Sequence, residues 1–268
     1  TAICRVCGCD WFTHRRVSMA DSIAGVVLAA GAGERLRPLT RLRPKALCPV
    51  GDAPLVDHAL ARFDGVTDAL TVNVHHHREQ LEAHLAGRVH VSVEHPAALG
   101  TAGALGALRE WIGGRACMVA NADTWCPTSL AVLLDGWDGQ VVRVLSPTPG
   151  PLGPRTMIGG ALLPWSEIEP LAATPSGLYE AVWAPVMAEG RLEIVPLADG
   201  APLVDCGTPG DYLAANLAWS GGSSVIGREA VIDGTVESSV VWPGAHVRAS
   251  EHLVGAIRAD DRMTVLVR

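Results

Sequence analysis

The stretch from Gly25 to Thr40, GVVLAAGAGERLRPLT, joins an apolar run to a glycine turn and then to charged residues. Its first part is rich in valine and other aliphatic residues, which predicts a buried strand. Gly31, Ala32 and Gly33 allow the backbone of the turn to approach a phosphate with its N–H groups exposed. We therefore predict an anion-binding turn at the end of the first strand.

Two familiar glycine motifs do not fit this turn. A dinucleotide-binding fingerprint needs a third glycine at position 36, where Leu36 stands, and the lysine and hydroxyl residue that end a P-loop are absent. The glycines precede a pair of cations, Arg35 and Lys45, which would suit a polyphosphate whose leaving group gains charge. Arg35 could instead be a solvated surface arginine. Lys45 is the only lysine in the chain, so either its survival is chance or position 45 needs a compact ammonium.

Strand-like and helix-like segments alternate along the rest of the chain. The apolar runs are GVVLAAG, DALTVNVHH, VHVSVEH and ACMVANAD, and helical periodicity predicts helices near residues 55–63, 79–85 and 104–111. This alternation predicts an α/β fold with a mainly parallel sheet. Ligands of such sheets bind beyond the carboxyl ends of the strands.

Composition limits the class of partner. The chain has 268 residues, of which 49% are apolar, and a formal net charge of −7. That charge, without a basic cluster, argues against a general nucleic-acid binder. The longest early apolar run, from Ile23, is too short to span a bilayer. Seven cysteines, four of them scattered singly, indicate reduced thiols and a cytoplasmic protein.

The sequence divides into three segments. Residues 1–20 read as an unstructured leader, although Cys4, Cys7, Cys9 and His14 could in principle bind zinc. Residues 21–220 would form the main domain. Residues 221–268 repeat an apolar unit at a six-residue step in VIGREAVIDGTV, which is typical of a β-helix. An ordinary β-hairpin packed on the main sheet is the alternative for this tail.

Two aspartates follow apolar segments where a sheet gathers its ligands. Asp123 ends the strand CMVANAD, and Asp205 comes just before a helix whose predicted N-cap is Thr208, with Pro209 at the first helical position. Two carboxylates, phosphate oxygens and waters form a suitable shell for Mg²⁺. Asp205 could instead cap or orient the following helix.

Together these motifs resemble the sugar-1-phosphate nucleotidyltransferases, also called nucleotide-sugar pyrophosphorylases. The family's glycine signature is similar to LAAGAGERLRPLT, with Glu34 where threonine or serine is commonest, and its lysine motif is similar to RPKALCPVG. The nucleobase loop resembles LGTAGAL at residues 99–105. The two metal motifs resemble NAD at residues 121–123 and DCGT at residues 205–208.

The resemblance implies a Rossmann-like α/β transferase with a short left-handed β-helix tail. Such an enzyme would use Mg²⁺ to join a nucleoside triphosphate and a sugar 1-phosphate with release of pyrophosphate. It implies catalytic roles for Arg35 and Lys45 and metal binding by Asp123 and Asp205. The other implied residues are Ala30, Gly31, Gly33, Gly100, Thr101 and Gly103 for the nucleotide, and Asn121, Gly160 and Glu180 for the sugar. Gly159 fits as well as Gly160, and Glu180 could lie on a solvated helix face.

One departure from the family concerns the sugar phosphate. Many members hold it with a lysine in the middle of the chain, which this sequence cannot do because Lys45 stands alone. Arg143 or Arg155 could replace that lysine, or the sugar phosphate could be held differently.

Several alternatives stay open. The chain could be a non-catalytic regulatory subunit that binds a nucleotide sugar, or a molybdopterin-type cytidylyltransferase, although the latter would not explain the tail. Within the family, NADTW and DCGTP resemble the mannose-1-phosphate guanylyltransferase and muramate-type uridylyltransferase branches slightly more than the thymidylyl branch. The sequence leaves a homo-oligomer open. His75 to His77 would point to alternating faces, so we expect a polar turn near the site rather than a metal centre.

Overall fold

The computed structural model describes residues 23–267. The expected leader at residues 1–20, with Cys4, Cys7, Cys9 and His14, lies outside the described residues. Among residues 23–267, no helix is long and apolar enough to cross a membrane.

The described chain forms a central sheet and several short satellite strands. The strands are β1 Ile23–Leu28, β2 Pro49–Val50, β3 Ala53–Pro54, β4 Leu70–Val74, β5 His90–Val93, β6 Ala116–Asn121, β7 Thr124–Trp125, β8 Val142–Ser146, β9 Gly160–Leu163, β10 Leu192–Pro196, β11 Val204–Asp205, β12 Val225–Ile226, β13 Val231–Ile232, β14 Thr235–Glu237, β15 Val240–Val241, β16 His246–Val247, β17 His252–Val254, β18 Ala256–Arg258 and β19 Thr264–Leu266. The central sheet has seven strands in the order β10-β8-β9-β6-β1-β4-β5. Only β9 runs antiparallel to its neighbours in this sheet, so the prediction of a mainly parallel α/β sheet is confirmed.

Helices cover both faces of this sheet. They are α1 Leu55–Ala61, α2 Arg78–Leu85, α3 Gly100–Ala107, α4 Arg109–Ile112, α5 Trp165–Ile168, α6 Ala184–Ala188 and α7 Pro209–Trp219, with a π-helical turn at Tyr179–Trp183. Strand β1 shows why the sheet needs two layers: Val27 packs into the core with Val56 and Leu81, while Val26 packs into the opposite core with Leu105. A strand buried on both faces reads as a continuous apolar run, as this one does.

The predicted helices near residues 55–63 and 79–85 are present as α1 and α2. The helix predicted near residues 104–111 begins earlier, at Gly100, and is broken at Leu108 into α3 and α4. The segment expected to be a nucleobase loop is therefore largely helical.

An arm of three 3₁₀ turns connects the glycine turn to α1. The turns are Glu34–Leu36, Leu39–Arg41 and Lys45–Leu47. Leu36 and Leu39 are fully buried in a third core that also contains Tyr212 of α7 and Trp242. This burial fixes the arm although it has little regular structure.

The tail after α7 consists of short strands paired mostly in parallel. Val225 pairs with Val240, and Val240 pairs with Ile257, so equivalent residues stack in successive passes of the chain. β13 pairs with β16 and β14 with β17 in the same parallel sense. Because a hairpin is antiparallel, the hairpin alternative fits only the last pair, β18 with β19. The left-handed β-helix stays a prediction.

The tail packs against the arm through one buried tryptophan. Trp242 is fully buried, and its Nε1–H donates to the Tyr212 hydroxyl at 2.9 Å. The Tyr212 hydroxyl in turn donates to the carbonyl oxygen of Pro49. Above the same ring, the Arg43 guanidinium lies 4.3 Å from the centroid. The tail and the arm thus share one core, and the domain boundary at residue 221 stays a prediction.

Candidate active site

The carboxyl ends of β1 and β6 meet at one edge of the sheet because these strands are parallel neighbours. The glycine turn comes after β1, and Asp123 lies two residues beyond β6. Asp205 comes from far along the chain: β11 pairs antiparallel with β7, which places Asp205 opposite Thr124. The Cys206 N–H also donates to the Asp123 carbonyl oxygen at 2.9 Å. The two predicted metal ligands are therefore adjacent.

Lys45 joins the two aspartates. Its Nζ donates to Asp123 Oδ2 at 2.7 Å and to Asp205 Oδ1 at 3.2 Å. The lysine side chain is 9% exposed, whereas the carboxylates are 41% and 40% exposed. Burial lowers the pKa of Lys45, but the attraction of both carboxylates outweighs it and the net pKa is raised. Lys45 is therefore a fixed positive charge that faces a more open acidic pair.

Arg35 reaches the same pair from the solvent side. Its Nη2 donates to Asp205 Oδ2 at 3.2 Å, and its side chain is 68% exposed. A Cβ on Gly207 would lie 2.7 Å from that Nη2 and 2.9 Å from Asp205 Oδ2. A side chain at position 207 would therefore force the Arg35 guanidinium or the Asp205 carboxylate to move, a constraint that sequence reasoning missed.

The glycine turn lies directly over Lys45. Gly33 has a φ of 62°, and a Cβ there would lie 2.9 Å from Thr40 Cγ2 and 3.1 Å from Lys45 Cβ. Gly31 has open space around it instead. Ala30, the remaining predicted residue of the turn, is buried. Gly33 therefore allows the close approach of the arm, and Gly31 leaves room for a ligand.

Three cavities meet at this edge of the sheet. The loop cavity, about 240 Å³, is lined by Gly31, Gly33, Arg35, Lys45 and Asp123, among others. The inner cavity, about 280 Å³, contains all three predicted sugar-binding residues, Asn121, Gly160 and Glu180, and also Thr101. The bridging cavity, about 260 Å³, is lined by Asn121, Asp123, Arg155 and Asp205. Asn121 and Asp123 thus connect the three spaces.

The glycines predicted to bind the nucleobase pack against protein. A Cβ on Gly100 would lie 2.5 Å from the Ser176 carbonyl oxygen, and one on Gly103 would lie 2.2 Å from that of Thr174. Neither glycine lines the loop, inner or bridging cavity. Thr101 accepts a hydrogen bond from the Leu178 N–H at 2.8 Å and does line the inner cavity. Close helix packing therefore accounts for the glycine spacing, and the nucleobase role of these two glycines stays a prediction.

A buried polar pair ties the glycine turn to α3. Asn73 Oδ1 accepts from the Ala29 N–H at 2.7 Å, and Asn73 Nδ2 donates to Glu94 Oε1 at 2.6 Å. Glu94 Oε2 accepts from the Leu99 N–H at 2.7 Å. Sequence reasoning overlooked this pair, although an asparagine inside the apolar run LTVNV was a signal for it. A buried polar group needs such partners.

The donor set at the acidic pair fits a hard divalent cation. Asp123 and Asp205 are close enough for one ammonium to contact both, and both residues line the bridging cavity. Two carboxylates plus substrate phosphate oxygens suit Mg²⁺, which rarely needs a full protein cage. Asp205 does not cap α7, because Thr208 Oγ1 accepts the Asp211 N–H at 3.2 Å.

The three histidines form a turn near the site. His77 has a φ of 49° before α2, and His75 contacts the Glu94 carbonyl oxygen at 2.9 Å. Among residues 23–267, no group of three or more histidine, cysteine, aspartate or glutamate residues is placed to hold a metal ion. Burial and the neighbouring histidines lower the pKa of His76.

Comparisons with known proteins find similarity to nucleotidyltransferases. A family model described as nucleotidyl transferase matches residues 24–138. An N-acetylmuramate alpha-1-phosphate uridylyltransferase of Caulobacter vibrioides is 36% identical over 153 residues, which is 51% of this chain and 63% of that protein. A mannose-1-phosphate guanylyltransferase of Mycobacterium tuberculosis is 26% identical over 89% of this chain and 80% of that protein.

One solved structure supports the fold alone. A crystal structure from Bacillus anthracis, described as a putative glucose-1-phosphate thymidylyltransferase in complex with a sucrose, superimposes with a TM-score of 0.63 at 18% identity. The match covers 73% of this chain and 94% of that one. The Caulobacter match, in contrast, spans less than two thirds of the relative's length. In its matched segment, its motifs and these relatives, the chain is similar to sugar-1-phosphate nucleotidyltransferases.

Proposed function

We propose that this protein transfers a nucleoside monophosphate from a nucleoside triphosphate to a sugar 1-phosphate. The products are an NDP-sugar and pyrophosphate. The observation that carries this proposal is the position of Lys45, which contacts Asp123 and Asp205 where a glycine-lined cavity meets a second cavity. Such a site offers cations to phosphates on one side and carboxylates to a metal between two substrates.

In the proposed reaction, an oxygen of the sugar phosphate attacks the α-phosphorus of the triphosphate. A new bond forms between that oxygen and the α-phosphorus. The bond that breaks joins the α-phosphorus to the oxygen that bridges the α- and β-phosphorus atoms. The β- and γ-phosphates leave as pyrophosphate. The nucleophile is already an anion at neutral pH, so the site needs no general base.

The glycine turn and each charged residue of the site have a role in this reaction. Gly31 and Gly33 let the triphosphate lie against the turn, and Arg35, which is largely exposed, neutralises the departing pyrophosphate. Lys45 holds a positive charge beside the reacting phosphates because its pKa is raised. Asp123 and Asp205 would hold Mg²⁺, which would supply charge neutralisation and alignment of the two substrates.

The inner cavity is the proposed sugar site. Asn121, Gly160 and Glu180 line it, and Tyr179 and Trp183 add aromatic surface suited to a sugar ring. The relatives named for mannose 1-phosphate and N-acetylmuramate 1-phosphate define the first sugars to test, with GTP and UTP as first donors.

Three further features belong to this proposal. The parallel passes after residue 221 would form a short left-handed β-helix appended to the catalytic domain at 21–220. Cys48, Cys117, Cys126 and Cys206 are free and buried, which supports a reducing cytoplasm. The presence of all four charged residues favours catalysis over a purely regulatory subunit, because a non-catalytic relative has no need to keep them. These residues are Arg35, Lys45, Asp123 and Asp205.

A pyrophosphate-release screen tests the proposal. ATP, GTP, CTP, UTP and dTTP are each paired with a panel of sugar 1-phosphates in the presence of Mg²⁺. We expect release with at least one pair and its loss in Asp123→Asn. If no pair releases pyrophosphate, the result would favour the regulatory subunit. Calorimetry with NDP-sugars would then detect binding of the nucleotide sugar.

A further inference from the structure

The two arginines in the middle of the chain differ in what their side chains already bind. Arg143, on β8, is a structural residue. Its Nε donates to Glu193 Oε2 at 2.8 Å and its Nη1 to the Asp135 carbonyl oxygen at 2.6 Å. Only 12% of its side chain is exposed, and it lines none of the three cavities. Its donors are used to hold β8 to the preceding loop and to β10.

Arg155, unlike Arg143, has a side chain whose donors are not used within the described part of the protein. It lies in the loop between β8 and β9 and lines the bridging cavity together with Asp123 and Asp205. The residue is exposed, and its guanidinium makes no hydrogen bond or ion pair with any of residues 23–267. An arginine with unused donors in a cavity is available to a ligand.

The cations at the site lie on two sides of the acidic pair. Lys45 and Arg35 contact the pair from the loop cavity, whereas Arg155 shares the bridging cavity with the same pair. The carboxylates therefore have cations in both adjoining cavities. Cations in both cavities would offset the repulsion between two phosphate substrates and the carboxylates of Asp123 and Asp205.

The bridging cavity also leads to the proposed sugar site. It shares Asn121, Pro154 and Thr156 with the inner cavity. A sugar 1-phosphate whose ring occupies the inner cavity can therefore place its phosphate in the bridging cavity. A phosphate monoester carries about −1.5 to −2 charge at pH 7, and a guanidinium can bind two of its oxygens at once.

We propose that Arg155 binds the phosphate of the sugar 1-phosphate and presents it beside Asp123 and Asp205. This inference rests on the proposed function and deepens it. It assigns to an arginine on the β8–β9 loop the task that the absent second lysine cannot perform. It also explains why a chain with one lysine can keep the activity.

The test compares Arg155→Gln and Arg155→Lys with the wild-type chain and with Arg228→Gln. Arg228 lies in the tail and lines none of the three cavities, so its variant makes the same charge change elsewhere. Steady-state pyrophosphate release is measured with the best substrate pair from the screen. Calorimetry with that sugar 1-phosphate and with the triphosphate gives the two affinities separately.

For Arg155→Gln we expect the KM and the Kd of the sugar 1-phosphate to rise at least about tenfold, the loss typical of a charge-assisted hydrogen bond. The triphosphate Kd should change less than about twofold, and Arg155→Lys should recover part of the loss because it keeps the charge without the fork. A structural role would instead lower the melting temperature and affect both substrates alike.

The outcomes separate this inference from the proposed function. Normal sugar-phosphate affinity in Arg155→Gln, with turnover intact, overturns the role of Arg155 and leaves the function standing. If the wild type binds a sugar 1-phosphate but no pair is turned over, a selective loss in Arg155→Gln supports Arg155 while the transferase proposal fails. If the wild type binds no sugar 1-phosphate of the panel, both are wrong.

Discussion

Replacing Lys45 by arginine preserves the charge at position 45 while changing its shape. In the wild type a single nitrogen contacts Asp123 Oδ2 at 2.7 Å and Asp205 Oδ1 at 3.2 Å. The lysine side chain is almost fully buried, and a Cβ on Gly33 would lie only 3.1 Å from Lys45 Cβ. A longer, planar guanidinium cannot keep both contacts in that space.

The expected loss is set by those two contacts. A hydrogen bond to a charged group contributes about 1.5 to 3 kcal/mol. If one such contact is lost in the transition state, turnover falls about ten- to hundredfold. The assay is steady-state pyrophosphate release by Lys45→Arg, with melting temperature as the check on folding. Arg228→Lys, a conservative exchange in the tail, is the matched control and should behave as the wild type.

Wild-type turnover in a folded Lys45→Arg variant would refute the reasoning. It would show that any cation at position 45 suffices and that the single lysine persisted by chance. A loss of turnover accompanied by an equal loss in Arg228→Lys would also count against a specific role for position 45.

Three further predictions concern the surroundings of Lys45. Gly33→Ala should lower kcat at least about tenfold in pyrophosphate release, because a Cβ at a φ of 62° would press on Lys45; an unchanged kcat would contradict this packing. Trp242→Ala should lower the free energy of unfolding by about 3 to 5 kcal/mol in urea titration, since the ring is fully buried and bonds to Tyr212; a loss below about 1 kcal/mol, on the order of a surface change, would mean that the tail does not stabilise the arm. Burial raises the pKa of the Cys48 thiol from 9.0 to about 12. The stability that the protonated thiol contributes to the free energy of unfolding is therefore complete below pH 9.0 and is lost as pH rises toward 12. Urea titrations from about pH 8 to pH 11 should therefore show a shallower alkaline decline for Cys48→Ala than for the wild type, by about 1 kcal/mol per pH unit, and parallel curves would contradict it.

Local patterns in the sequence were sufficient to predict the mainly parallel sheet and to identify candidate site residues, whose roles stay predictions. The apolar runs and the glycine turn depend on residues close together in the chain, and β1 and β6 appear where those patterns predicted strands. Asn121, Gly160 and Glu180 were implied by resemblance alone, yet they line one cavity. Their roles toward a sugar stay a prediction.

Other features depend on long-range packing and could not be predicted in this way. The pairing of β7 with β11 brings Asp205 to Asp123, but neither two-residue strand has a pattern of its own. The spacing of Gly100 and Gly103 was interpreted as a ligand loop, which stays a prediction, but the backbone at Thr174 and Ser176 also lies close to these glycines. A glycine that permits contact with a ligand and one that permits contact with another segment look the same in sequence.

The most direct test of the transferase mechanism traces the oxygen atoms of the sugar phosphate. A sugar 1-phosphate with ¹⁸O in its phosphate oxygens is incubated with the preferred triphosphate, Mg²⁺ and the wild-type protein, and both products are examined by mass spectrometry. We predict an NDP-sugar that retains all of the label, together with unlabelled pyrophosphate. Label in the pyrophosphate, or formation of pyrophosphate without an NDP-sugar, would contradict attack by the sugar phosphate on the α-phosphorus.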